Sequence, residues 1–232
     1  MDKPFFNATD LEINTSYVGR LDMMGARASM TRSIGISANF LGKLHLAVLD
    51  APRSGVAALV PTVDGVYFVC RQRHHLLNAM RSTLRSLASL FVEEEDPYRQ
   101  FLVRGGIAYG PVVLGSSLDG SHSAAFGSKQ NAGYRDSILI GFPVVQAYEV
   151  ESSAPPFGVR VDVSARAFAP EAKTPMRSAY WRWHSNGTDD ALVTSLREKL
   201  ALYFTFMEAH EHELGYKSED RKRHDALWKE YF

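Results

Sequence analysis

At 232 residues and 45% hydrophobic composition, the chain can bury a sizeable core, which excludes a disordered protein. Its 26 basic and 26 acidic residues cancel, so no global field draws it to DNA, RNA or a membrane surface. The single cysteine, Cys70, excludes a disulfide framework and paired-cysteine zinc ligation, and fits a reducing compartment.

The N-terminal residues lack the apolar core of a signal peptide, and no run of about 18 apolar residues occurs, so a cytoplasmic protein without a transmembrane helix is expected. After an irregular lead-in over 1–14, residues 17–23 read as a strand and 27–50 as a helix that stops before Pro52. Residues 56–63 and 65–71 are two apolar runs joined at Asp64-Gly65, a hairpin signal. Leu76, Leu77, Met80, Leu84, Leu87 and Phe91 mark residues 73–93 as a helix with a core-facing stripe. Residues 93–97 are an acidic, solvated helix end. A strand follows over 101–109, then a long loop rich in Gly, Ser and Asn over 115–135. Residues 141–152 read as helix, 158–163 and 180–184 as strands. A helix then runs from Thr188 or Asp189 as N-cap to Gly215, and a charged one from 219 to 230. The order predicts an α+β fold, a mixed sheet with helices packed on one face. Residues 1–187 form the main domain and 188–232 a helical extension packed on it.

Two aspartates stand out. Asp22 ends the run from Tyr17 to Leu21, and Asp64 sits between the two hairpin runs. Carboxylates at the ends of neighbouring strands can hold a hard divalent cation against a triphosphate. Met23 offers a backbone carbonyl beside them. The small segment Met24-Gly25-Ala26-Arg27 turns into a helix, where backbone N–H groups and one positive side chain could meet an anion. The plainer reading makes Asp22 an N-cap and Asp64 a turn residue.

In order, the chain has strand-Asp22, helix, hairpin-Asp64-Gly65 and helix. The strand Val103-Arg104-Gly105-Gly106-Ile107 and the helix Gly141-Phe142-Pro143-Val144-Val145-Gln146-Ala147-Tyr148-Glu149 follow. Over roughly residues 16–165 this resembles the class III nucleotidyl cyclases. The resemblance implies two metal aspartates, an arginine strand, an interface helix, and cyclisation of a nucleoside triphosphate at sites shared between two protomers of a homodimer. Two ions per site, Mn²⁺ or Mg²⁺, would be held by Asp22, Asp64 and the Met23 carbonyl. Departures are equally informative. Val145 and Glu149 stand where the family places a catalytic Asn and Arg, and Val60 and Ile138 where it reads a purine.

Gln-Ala-Tyr-Glu-Val-Glu and the compact length look like the bacterial Pycsar antiphage pyrimidine cyclases. That branch implies UTP as substrate and cyclic UMP as product, acting on a separate effector. Cytidylate cyclase is the alternative, as is a degenerate cyclase-like module that binds nucleotide; an unusual adenylate or guanylate cyclase is weaker. Met24, Gly25, Arg27, Tyr67, Arg104 and Gln146 are the candidate substrate contacts. Arg104 reaches base or phosphate, or pairs with an acid such as Glu149. Tyr67 stacks on a base or packs within its strand, and Gln146 bonds the nucleotide or lies on a helix surface.

Overall fold

The computed structural model describes residues 11–119, 122–167, 176–184 and 190–232; Arg27 is described by its backbone alone. In chain order the elements are β1 (Asn14–Met24), α1 (Ala26–Arg32), α2 (Ile34–Leu49), β2 (Val56–Pro61), β3 (Gly65–Cys70) and α3 (Arg73–Glu93). There follow β4 (Leu102–Leu114), α4 (Ala124–Gly127), α5 (Ala132–Asp136), β5 (Leu139–Ile140), α6 (Phe142–Glu151), β6 (Val159–Val161) and α7 (Val163–Ala167). The chain closes with β7 (Tyr180–Trp181), α8 (Ala191–Ala209), α9 (Glu211–Leu214) and α10 (Ser218–Tyr231).

The strands form one sheet in the order β2-β3-β1-β4-β6-β7, with β5 paired to the far end of β4. Only β4 and β6 run parallel; the other pairs are antiparallel. The fold is therefore α+β with a mixed sheet, as the element order predicts. The central strand β1 is buried on both sides because helices cover both faces, rather than the single face expected from sequence. Tyr17, Leu21 and Met23 point into the larger core with Phe68, Ile107 and Val159, against α2, α3 and α8. Val18 points the other way, with Val69, Ala108 and Val112, and meets Ala147 of α6.

That second face depends on Gly106. A Cβ there would lie 2.1 Å from the Ala147 carbonyl oxygen and 3.0 Å from the Glu151 Cβ, so α6 can lie against β4 only because the position is bare.

Several boundaries differ from the sequence reading. The helix expected over 27–50 is two, because extended Ser33 breaks it; the Ser33 hydroxyl accepts the Ile36 N–H and starts α2. The hairpin is present, but the chain reverses through Thr62, Val63 and Asp64, and Gly65 already belongs to β3. The described part of the 115–135 loop folds into α4, α5 and short 3₁₀ turns. The cap of α8 is Asp190, which accepts the Leu192 N–H; Thr188 and Asp189 lie outside the described residues. Leu196, Leu200 and Phe204 of α8 and Trp228 of α10 enter the same core as the sheet. The single helix expected up to Gly215 is two, α8 and α9, broken at His210; Gly215 caps the second, where a stop was expected. No described helix is long and apolar enough to cross a membrane.

Candidate active site

β1 runs between β3 and β4, so each of its residues has two cross-strand partners. Asp22 lies opposite Gly65 and Arg104; Arg20 lies opposite Tyr67 and Gly106. Strand alternation puts Arg20 and Asp22 on the same face, the one that α6 covers. Gly65 makes room for the carboxylate: a Cβ there would sit 2.4 Å from the Leu21 carbonyl oxygen and 3.0 Å from Asp22 Oδ1.

Asp64 closes the site from the hairpin. Its carbonyl oxygen accepts the Met23 N–H at 2.9 Å, tying the turn to the end of β1. In extended backbone a residue's N–H and C=O face the same edge, so the Met23 carbonyl also faces the hairpin. The Met23 side chain goes the other way, into the core. The structure thus brings Asp22, Met23 and Asp64 together, with Asp22 buried and the Asp64 side chain 38% exposed. Beside Asp64 is an open depression lined by Ala26, Met30, Thr31 and Val63.

Two residues not expected from sequence complete the cluster. Arg20, buried, reaches Asp22 Oδ1 with Nη2, stands 3.6 Å from Asp64 Oδ1, and donates through Nε to Glu151 Oε2 at 3.1 Å. Its guanidinium lies 5.1 Å from the ring centroids of both Tyr67 and Tyr148. Glu151, at the end of α6 and 1% exposed, also takes Arg104 Nε. Arg104 Nη1 donates to the Ser152 carbonyl at 2.9 Å. Arg104 therefore pairs with an acid, but that acid is Glu151, two residues beyond the Glu149 considered from sequence; Glu149 is exposed.

Three carboxylates thus share two guanidinium groups in a largely dry site. Burial pushes the Asp22 carboxyl up to about 7, the nearby Glu151 adds to the rise, and Arg20 opposes it. Tyr67 is used for cross-strand packing over Arg20, and burial raises its hydroxyl. Gln146 is half-buried on α6, its side chain has no hydrogen bond among the described residues, and it stays apart from the carboxylates' contacts. Met24 and Gly25 lead into α1, whose Gly25 N-cap supplies no side-chain bond. The Arg27 side chain lies outside the described set. Arg20 was legible as a same-face neighbour two residues before Asp22; Glu151 had no comparable signal, because only the docking of α6 brings it there.

The donors fit a hard cation in type: two carboxylates and a backbone carbonyl, all oxygen. Among the described residues no group of three or more His, Cys, Asp or Glu is placed to hold a metal. A cation at Asp22 and Asp64 would draw the rest of its shell from phosphate oxygens and water. It would also have to take over the position that Arg20 Nη2 holds between them.

No protein-family model matches the chain, and no curated protein does. Among solved structures it is similar to the monomeric guanylyl cyclase domain of the RhoGC fusion protein from the aquatic fungus Blastocladiella emersonii. The identity is 18% and the TM-score 0.47, over 66% of this chain and 84% of that one. It is also similar to an adenylate/guanylate cyclase/hydrolase from Silicibacter pomeroyi, at 18% identity and TM-score 0.47, over 67% and 80% of the two chains. A class III adenylyl cyclase-like ATP-binding protein from Pseudomonas aeruginosa is similar over 95% of this chain and 45% of its own, at 13% identity and TM-score 0.43. Likeness at these levels carries neither activity nor substrate across to this chain.

Proposed function

We propose that this chain is a class III-type nucleotidyl cyclase, joining the ribose 3′-hydroxyl of a nucleoside triphosphate to its α-phosphate with release of pyrophosphate. The observation that carries the reading is the convergence of Asp22, Asp64 and the Met23 backbone at one end of the sheet, held by the Met23 N–H to Asp64 carbonyl bond. Bound Mn²⁺ or Mg²⁺, two ions per site, would polarise the 3′-hydroxyl and neutralise the leaving pyrophosphate.

The chain's own residues do the rest. Asp22 and Asp64 supply the carboxylate oxygens. Burial leaves the Asp22 carboxylate short of solvation, so a cation partner stabilises its charged form strongly. Arg104 keeps Glu151 neutralised when Arg20 withdraws from the cluster.

UTP is the favoured substrate, with CTP as the alternative. Support comes from the two positions where the resembled family reads a purine: Val60 is buried on β2 and Ile138 is half-buried, and neither has a polar side chain. The setting is second-messenger synthesis in antiphage defence, the cyclic nucleotide acting on a separate effector. A homodimer with shared sites is supported by the exposed apolar residues Phe142, Val145 and Tyr148 on α6, the last of which also meets Arg20 of the cluster.

A second reading, a cyclase-like module that binds nucleotide without turning it over, is favoured by Arg20. A buried guanidinium already neutralises the carboxylates. The test is incubation with ATP, GTP, CTP and UTP separately, with Mn²⁺ and mass spectrometry of products, beside Asp64→Ala. Cyclic UMP from wild type, reduced by about 10²–10³-fold or more in the variant, is expected. Nucleotide binding with no cyclic product from any of the four selects the second reading.

A further inference from the structure

A groove of about 690 Å³ opens beside α1, lined by Gly25, Ala28 and Thr31, Arg104 of β4 and the start of α10. Its size lies within the roughly 300–1,000 Å³ of ordinary ligand sites. Three cationic side chains from two distant parts of the chain line it: Arg104 of β4, and Lys217 and Arg223 of the C-terminal segment. Asp220 is the one carboxylate in the lining, and it accepts Arg223 Nη2 at 2.8 Å. His224 also lines it. Burial first, then Arg223 and Arg104, hold that imidazole down to about 4, so it is neutral at pH 7. The lining then carries three positive side chains against one negative, with Arg104 also paired to Glu151 behind it.

The Lys217 side chain is exposed and has no ion pair or hydrogen bond among the described residues. Arg104 belongs to both places. It is the cross-strand partner of Asp22, acts on the Asp22 charge, and also acts on Tyr216 and His224 of the C-terminal segment. Arg104 thus adjoins both the groove and the carboxylate cluster, and Gly25 and Ala28 contribute a stretch of wall with little side-chain bulk.

We propose that this groove binds the phosphate chain of the nucleoside triphosphate, with Lys217 and Arg223 as phosphate ligands supplied by the C-terminal extension. The inference rests on the cyclase reading for the identity of the nucleotide, and adds a role for residues 217–224. Lysine ammonium and arginine guanidinium groups are the side chains that pair with phosphate oxygens by charge-assisted hydrogen bonds. The carboxylates and the groove divide the work: Asp22 and Asp64 address the reacting end, and the cations hold the chain of charge that leaves.

The test is equilibrium binding of UTP and of inorganic tripolyphosphate, without added metal, to wild type, Lys217→Gln, Arg223→Gln and Asp64→Ala. The Lys217 and Arg223 substitutions are on exposed side chains, and melting temperatures confirm that the variants are folded. Each is expected to weaken both probes about tenfold, with a further loss as salt is raised, while Asp64→Ala keeps tripolyphosphate binding. Weakening of UTP alone would place the cations at the nucleoside and overturn the phosphate assignment. Unchanged binding in both variants overturns it too, as does a wild type that binds neither probe. Cyclic product with wild-type KM in both variants sinks this inference and leaves the cyclase reading standing. Cation-dependent phosphate binding with no cyclic product does the reverse.

Discussion

Arg20 decides how the carboxylate cluster behaves. It is a long, charged side chain held inside the protein by two acids and two tyrosine rings. Breaking a buried ion pair by removing one partner is costly, since the other charge is left in a poor solvent. Arg20→Gln is expected to lose about 3 kcal/mol of stability. Glu151 would keep Arg104, whereas Asp22 and Asp64 would lose their shared cation. Added Mn²⁺ should then raise the melting temperature of Arg20→Gln more than that of wild type, because a ligand that binds only the folded state stabilises it by mass action. Thermal melts with and without Mn²⁺ check this. An equal Mn²⁺ response in both proteins would mean that Arg20 and the cation do not compete.

Helix α6 is positioned by what β4 lacks. Gly106 lets the helix backbone approach, and that approach delivers Glu151 to Arg20 and Arg104. Gly106→Ala forces a methyl group against the Ala147 carbonyl, which belongs to backbone and cannot rotate away. Overpacking of this kind costs about 1–3 kcal/mol. A lower melting temperature is expected, together with weaker nucleotide binding, because the displaced helix carries Glu151 with it. A variant with wild-type stability and binding would show that α6 is not seated as described. The sequence showed the Arg-Gly-Gly-Ile run, but a glycine read alone does not say which element comes close to it.

At the scale of the molecule, the C-terminal segment is joined to the sheet through polar as well as apolar contacts. Trp228 and Tyr231 enter the core, and His224 shares a hydrogen bond with the Tyr216 hydroxyl. The native imidazole takes up a proton only near pH 4, whereas the unfolded one does so near 6.5. Between those values the unfolded chain binds more protons, so stability rises with pH through the window and is complete above about 6.5. The loss on acidification amounts to the order of 3 kcal/mol. His224→Gln keeps a hydrogen-bonding side chain but cannot titrate. Its melting temperature should therefore fall less than that of wild type between about pH 7 and pH 4.5, as measured by calorimetry. Parallel curves would place the acid sensitivity elsewhere.

Local chemistry determined much of this protein. Apolar runs bounded by turn residues marked the hairpin strands, the spacing from Leu76 to Phe91 fixed α3 over the residues expected, and the two aspartates were visible at the ends of such runs. Those features depend on neighbours in the chain, which a sequence displays. The burial of β1 on both faces, the arginine bridging Asp22 and Asp64, the arrival of Glu151, and the cationic groove depend on residues far apart in the chain. Lys217 and Arg223 line the same groove as Arg104 only because α8 packs on α3 and the chain returns toward β4. A charge in a sequence has no fixed surroundings; packing sets its distance from other charges and from water, and those distances govern its chemistry.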